Sequence, residues 1–399
     1  MPAIAMRELG GTSGRYYALL AAIGVFVALG LIACVYMETH GHIVTGMDNQ
    51  IVWGMPHVFA VFLIVAASGA LNVASTASVF GRAVYKPLAP LSALLAIALL
   101  AGGLSVLVLD LGRPERITVA MTHFNFSSIF AWNIFLYTGF FAIVGIYLWF
   151  MLDRTMNRHA TRAGLVAFVW RLVLTTGTGS IFGFLVAREA YDSALLAPMF
   201  IVFSFAYGTA IFMLTLLAAH RWDERPLAED LLQRLNRLLA LFVAAVLYFV
   251  TVFHLTKLYV ARFHDIERFV LLDGGVFTAL FWLGQVLLGG IVPLLILYHP
   301  RLSRSRGWTA FAAAFVVLGG MAQMYVTIIG AQVYPIALFP GMQEASSFFD
   351  GEIHTYAPSF PEVLLGFGGF AIAAAIVLIA LRVLRLLPER LDTAVRSEA

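Results

Sequence analysis

Apolar runs of about 20 residues, the length that carries a helix across roughly 30 Å of hydrocarbon, recur ten times along the chain with short polar breaks between them. They fall near 17–36, 56–80, 88–109, 127–152, 163–187, 195–219, 236–259, 275–298, 308–332 and 361–385. Irregular backbone cannot face lipid, because its unpaired N–H and C=O groups find no water there. Each run therefore predicts a transmembrane helix, and the chain as a whole an all-α polytopic membrane protein. No stretch between the runs is long enough to fold separately, so residues 1–399 are expected to form a single integral membrane domain.

Composition narrows the classes. Of the 399 residues, 61% are hydrophobic and only 12% charged, against about 25% charged in a soluble domain. That excludes an ordinary globular enzyme, a disordered chain and a nucleic-acid binder. A single cysteine excludes a disulfide scaffold, a cysteine-ligated zinc site and an iron–sulfur cluster held by this chain alone. That cysteine, Cys34, follows Arg7, Arg15 and an apolar run, superficially like a lipoprotein signal. The run continues to Tyr36 and nine more follow, so no cleaved signal is expected and Cys34 reads as a small apolar residue of the first helix.

Basic residues divide unevenly between the two sides that ten spans imply. Eighteen share one side: Arg7, Arg15, Arg82, Lys86, Arg154, Arg158, Arg162, Arg221, Arg225, Arg234, Arg237, Arg301, Arg304, Arg306, Arg382, Arg385, Arg390 and Arg396. The other side has Arg113, Arg116, Arg188, Arg262 and Arg268. Lys and Arg concentrate in cytoplasmic loops, so both termini of this multi-pass protein are expected in the cytoplasm. The long loop at 333–360 then faces out, carrying Glu344, Asp350 and Glu352 and no Lys or Arg.

Ionisable groups inside hydrocarbon are costly and so are functional candidates; here they gather at one depth. His57 opens the second helix from outside and Asp110 closes the third, with Arg113 three residues on. His123 and Asn125 precede the fourth. His254 and Lys257 share a face of the outer third of the seventh, and Arg188, Glu189 and Asp192 end the fifth. Plainer readings stand beside these: an Asp110–Arg113 interfacial ion pair, an N-cap at Asn125 or Ser127, an interfacial hydrogen bond for His57, a snorkelling Lys257. Arg171 lies inside the fifth helix, followed by Thr175, Thr176, Thr178 and Ser180. That stripe reads either as a hydrated proton path or as Ser/Thr glue between helices.

Three kinds of chemistry fit the layer. A quinone pocket needs an apolar slot with proton acceptors at the ring oxygens. A haem b cytochrome needs two facing axial ligands, for which His57 and His254 are the candidates. A secondary transporter would use Arg171, Lys257 and Asp110 as substrate or ion ligands.

The run Leu109-Asp110-Leu111-Gly112-Arg113-Pro114-Glu115-Arg116, then His123-Phe124-Asn125-Phe126-Ser127-Ser128 and Trp132, resembles the signature between the third and fourth helices of the NrfD/PsrC (polysulfide reductase membrane subunit) family. Gln50-Ile51-Val52-Trp53-Gly54, leading into the second helix, fits as well. Over Met47 to Asn157 the similarity is greatest to the DsrP-type subunit of the sulfite-reductase-associated DsrMKJOP complex. The resemblance implies two four-helix bundles plus two flanking helices. It implies a subunit without bound metal or haem that exchanges electrons between a quinone, menaquinone or ubiquinone, and a periplasmic iron–sulfur (ferredoxin-like) partner, possible proton translocation included. It carries over to Asp110, Arg113, His123 and Asn125 as quinone-site residues and, more loosely, to His57. His254 and Lys257 as an opposite wall, and Arg171, Thr175 and Thr178 as a proton path, rest on depth alone. Trp132-Asn133 departs from relatives that carry an acidic residue in the fourth helix. The reading that follows is a quinone-interacting subunit of a respiratory complex in sulfur metabolism, with His57 and Asp110 as its catalytic pair.

Overall fold

A computed structural model describes residues 6–10, 13–336 and 351–389. Glu344, Asp350, Arg390 and Arg396 lie outside the described residues. Among the described residues ten helices are long and apolar enough to cross a membrane: Gly14–His40, Met55–Ser78, Ala83–Leu109, Ile129–Leu152, Asn157–Gly183, Leu196–Trp222, Glu229–Tyr259, Val276–Tyr298, Arg306–Val333 and Phe360–Val383. The expected count is met. The fifth span stops earlier than expected, at Gly183, so Arg188, Glu189 and Asp192 belong to the loop after it. The seventh starts earlier because Glu229 and Asp230 in its first turn favour a helix N-terminus.

We number the helices that matter below in chain order: α1 (Gly14–His40), α2 (Met55–Ala70), α3 (Asn72–Ser78), α4 (Ala89–Leu109), α5 (Ile117–Thr122), α6 (Ile129–Leu152), α7 (Ala160–Gly183), α8 (Leu196–Trp222) and α9 (Glu229–Tyr259). Then come α10 (His264–Arg268), α11 (Val276–Ala279), α12 (Val292–Tyr298), α13 (Arg306–Tyr325), α14 (Ala331–Val333) and α15 (Phe360–Val383). Two π-helical segments, Leu280–Ile291 and Val326–Gly330, interrupt the eighth and ninth spans.

Spans two to five pack as one four-helix bundle and spans six to nine as another, with α1 and α15 paired alongside α4. The second span is the axis, buried along its whole apolar window, which is why its sequence shows no polar face. It meets α8 of the second bundle where Gly69 faces Ser204 and Gly208; a Cβ on either glycine would run into the opposing backbone. The same span breaks at Leu71. The carbonyls freed there are taken up by neighbours: Ser92 Oγ donates to Ala70 O at 2.6 Å and accepts the Ala74 N–H at 3.1 Å, and Arg171 Nη1 donates to Ser68 O at 3.0 Å. In a dry bundle such partners are what allow a break.

Strand β1 (Met6–Arg7) pairs antiparallel with β2 (Leu387–Pro388), Met6 opposite Pro388, so the first and last described segments are on one face. The loops 41–54, 110–128, 184–195 and 260–275, with residues 334–336 and 351–359, lie on the other, called here the far face.

Candidate functional site

Two helix ends build the site. Gly54 precedes α2 because nothing larger fits: a Cβ there would meet Glu362 Oε1, Met47 and the Tyr356 hydroxyl. Pro56 follows in the first turn, where its missing N–H costs nothing, and His57 lies in the same turn. Across from it α4 ends on Asp110, whose N–H still bonds Val106 O, and Gly112 at φ 67° turns the chain back. The two ends converge so that His57 Nδ1 is 3.0 Å from Asp110 Oδ2. The contact is within ion-pair distance but outside hydrogen-bond geometry. Among the described residues His57 Nδ1 and both Asp110 oxygens are left without a hydrogen-bond partner, although the carboxylate is only 1% exposed. Asp110 is thus paired with His57, not with Arg113 as an ion pair three residues along would have had it.

His57 opens onto a cavity of about 710 Å³ between α2, α4, α6 and α7, within the size range of small-molecule sites. Its walls are chiefly apolar: Val61, Ile64, Leu104, Val108, Ile134 and Ile181. Arg113, Arg116 and Met121 of the loop around α5 line its far-face side, and Ile328 closes it from the second bundle. Polar atoms are few and placed. Asn133 (2% exposed) donates to Ile129 O and Gly177 O at 2.9 and 3.2 Å, and Tyr137 shares a hydrogen bond with Thr178.

The His57 ring is stacked on Trp53 (centroids 6.1 Å apart, planes 28° off parallel), and Trp53 in turn meets Phe130, Phe182 and Tyr191. Residues 50–54 are held from the second bundle. Gln332 clasps Trp53, Gln50 Nε2 donates to Gln332 O and Val333 O, and Arg188 Nη2 donates to Gln50 O at 2.8 Å. The Tyr191 hydroxyl donates to Ile328 O at 2.7 Å. Burial raises the Tyr191 phenol far above its ordinary range, against the pull of Arg188, and lowers Arg188 itself. Both therefore act here as hydrogen-bond donors.

From Thr178 a file of buried polar groups runs along α7 away from the cavity. Thr175 Oγ1 donates to Ser68 Oγ (2.6 Å) and Arg171 O (2.7 Å), and Arg171 Nη1 donates to Asn72 Oδ1 at 2.7 Å. The Arg171 guanidinium sits over the rings of Phe168 and Phe205, 5.1 and 5.2 Å from their centroids. Among the described residues no carboxylate pairs with it. Thr176 points outward and only back-bonds to Leu172 O.

Other expected members lie elsewhere. His123 is exposed and contacts Thr122, while Asn125 Oδ1 accepts the Ser127 N–H at 2.9 Å and closes a turn; Ser128, not Asn125 or Ser127, is the N-cap residue of α6. Neither lines the cavity. His254 and Lys257 do not form its opposite wall. They belong to the second bundle, where His254 Nδ1 meets Glu267 Oε2 at 2.6 Å and lines a separate cavity. Lys257, 2% exposed, does not snorkel: it donates to the carbonyls of Glu189 and Ala190. His57 and His254 thus face different cavities, so they do not form the facing pair a haem requires. The sequence reading missed Gln332 and Glu267, single polar residues beside apolar runs, and passed over Asn133 because it sought a carboxylate there.

The family described as polysulphide reductase, NrfD, matches residues 43–337. An Hdr-like menaquinol oxidoreductase integral membrane subunit from Archaeoglobus fulgidus is 31% identical over 97% of this chain and 98% of its own. A putative membrane subunit of dimethyl sulfoxide reductase from Halobacterium salinarum is 28% identical (94% and 92%), and a selenate reductase subunit from Mesobacillus selenatarsenatis 24% (87% and 88%).

Proposed function

The chain belongs to the polysulphide reductase NrfD family, and from that premise we propose that it is the quinone-interacting membrane subunit of a respiratory electron-transfer complex. One observation carries the reading: a buried carboxylate, Asp110, with no hydrogen-bond partner among the described residues, stands behind a histidine on the wall of an apolar slot large enough for a quinone ring. A quinol oxidised there loses two electrons and two protons. His57 hydrogen-bonds a ring oxygen and receives a proton, and Asp110 behind it stabilises the imidazolium or takes the proton on. Arg113 and Arg116 line the slot with positive charge, suited to a developing quinone oxyanion. Apolar walls keep water away from the ring.

The electrons pass to an iron–sulfur partner subunit on the far face, which the slot adjoins. Relatives named as membrane subunits of oxidoreductases support the presence of partner subunits, and the iron–sulfur character of this one rests on the family resemblance. The basic bias toward the termini supports cytoplasmic ends in an inner membrane, with the slot near the periplasm. Menaquinone fits the name of the Archaeoglobus relative, and service to sulfur metabolism rests on the resemblance of residues 47–157. Thr178, Thr175 and Arg171 form the proton path from the slot toward the cytoplasm. Within the assembled complex, Asp110→Asn is expected to abolish most quinol-linked electron transfer while leaving assembly intact. Normal turnover would remove Asp110 from the mechanism.

A further inference from the structure

The second bundle buries a group of polar side chains that the quinone slot does not use. Glu267, in α10 and 2% exposed, accepts from or shares a proton with His254 Nδ1 at 2.6 Å. Both face a cavity of about 50 Å³, separate from the slot and too small for a quinone. Gln285 and Gln323, 4% and 6% exposed, line the same cavity. Among the described residues neither amide atom of Gln285 has a hydrogen-bond partner, nor has Gln323 Oε1. Unpaired buried amides are costly, so groups of this kind in a native fold mark water or an ion. A water needs about 10–15 Å³ of such space and two or more polar partners; the cavity has room for about three to five.

Two further features converge on it. Gln285 sits in one π-helical segment and Thr327, also lining the cavity, in the other; such segments recur at functional sites. Gln285 also borders a second void, of about 10 Å³, beside Tyr207, Gly289 and Gly319.

We propose that the second bundle holds a separate hydrated proton-binding site, in which Glu267 and His254 carry an exchangeable proton and a water cluster joins them to Gln285 and Gln323. Uptake of H⁺ from a chamber H₃O⁺ leaves H₂O and converts neutral imidazole, opposite the carboxylate, to imidazolium; release reverses this, and no electron moves. Lys257 is the cation facing the pair from α9, and Glu189 faces Lys257 from the loop before α8. α8 and both π segments contribute only uncharged lining residues.

The test uses the purified complex. A high-resolution cryo-EM map should show ordered waters within hydrogen-bond distance of Gln285 and Gln323; a dry or collapsed chamber overturns the proposal. Infrared pH-difference spectra in H₂O and D₂O should contain carboxylate and imidazole signals that disappear in Glu267→Gln, with quinol turnover near wild type. Should that variant not assemble, His254→Gln makes the same comparison. Wild-type and variant spectra that superimpose also overturn it.

Discussion

Gln332 grips Trp53 by both ends of its peptide: Oε1 accepts the Trp53 N–H at 3.0 Å while Nε2 donates to the Trp53 carbonyl at 2.9 Å. The same Oε1 accepts the Val52 N–H. One side chain of the second bundle thereby fixes the backbone that stacks an indole on His57. Gln332→Leu would leave those three backbone groups unpaired where Gln332 is now 1% exposed, at about 1–3 kcal/mol each if water cannot enter. The expected result is a lower melting temperature and a raised KM for quinol, with kcat less affected, because the ring that orients His57 loses its anchor. Gln332→Glu should recover part of the loss, keeping the acceptor but not the donor. Steady-state quinol kinetics on the assembled complex measure both.

His57 and Asp110 should behave as one unit. Their side chains approach to 3.0 Å, and among the described residues neither Asp110 carboxylate oxygen has a hydrogen-bond partner. His57→Gln and Asp110→Asn are each expected to cut quinol-linked turnover by about 100-fold or more, the scale of a lost general base. The double variant should be little worse than either alone, as for residues that act together. Independent, multiplying losses would show that the two serve separate steps.

The fold was legible because membrane helices announce themselves by length and apolarity, and the far-face layer by where polar residues interrupt them. His57 and Asp110 were found that way: both lie at helix ends, where depth follows directly from span boundaries. Depth alone could not say which ends adjoin. His254 and Lys257 share the depth of His57, yet they pack in the second bundle, because the order in which spans assemble is set by close contacts such as Gly69 against Gly208 that no hydropathy pattern displays. Gln332 and Glu267 escaped notice for a related reason. A lone Gln or Glu beside an apolar run looks like an interfacial residue until its partners, here Trp53 and His254, are brought in from distant parts of the chain. The helix break at Leu71 was equally silent, since Ser92 and Arg171 mend it from other spans.

Arg171 allows a test of glue against path. Its donors tie Ser68 O and Asn72 Oδ1 together across the break in the second span. Arg171→Leu leaves Asn72 Oδ1 without its donor and Ser68 O with only the Leu71 N–H, so it should destabilise by roughly 2–5 kcal/mol, the range for disrupting a buried polar network. Arg171→Lys keeps the charge but offers no planar fork, and an intermediate loss of thermal stability is expected. If the file from Thr178 to Arg171 conducts protons, a folded Arg171→Lys complex reconstituted in vesicles should also show a lowered proton-to-electron ratio at unchanged electron flux. A wild-type ratio would leave Arg171 the structural role alone.

Asp48 gives the far face an acid-sensitive latch. Its Oδ1 accepts the N–H groups of Gln50 and Ile51 at 2.8 and 2.6 Å, and its Oδ2 meets His354 Nδ1 at 2.8 Å, so it joins the segment leading to Trp53 with the strand of chain that precedes α15. Partial burial works to raise the carboxyl, but the Ile51 N–H, His354 and the Gln50 N–H outweigh it and hold Asp48 below its usual 3.8. A carboxylate lowered in the folded state stabilises at pH above its unfolded value of about 3.9, and that stabilisation is lost as pH falls through the lower folded value. Asp48→Asn keeps an Oδ1 acceptor and loses only the charge. At pH 7 the variant should melt below wild type, and between about pH 5 and pH 3 the two melting curves should approach one another. Their separation at pH 7 should shrink in high salt, because the Asp48 side chain is 40% exposed and its pairing with His354 is open to screening. A gap that widens toward acid would mean that Asp48 favours its protonated form in the fold, contrary to the hydrogen bonds it receives.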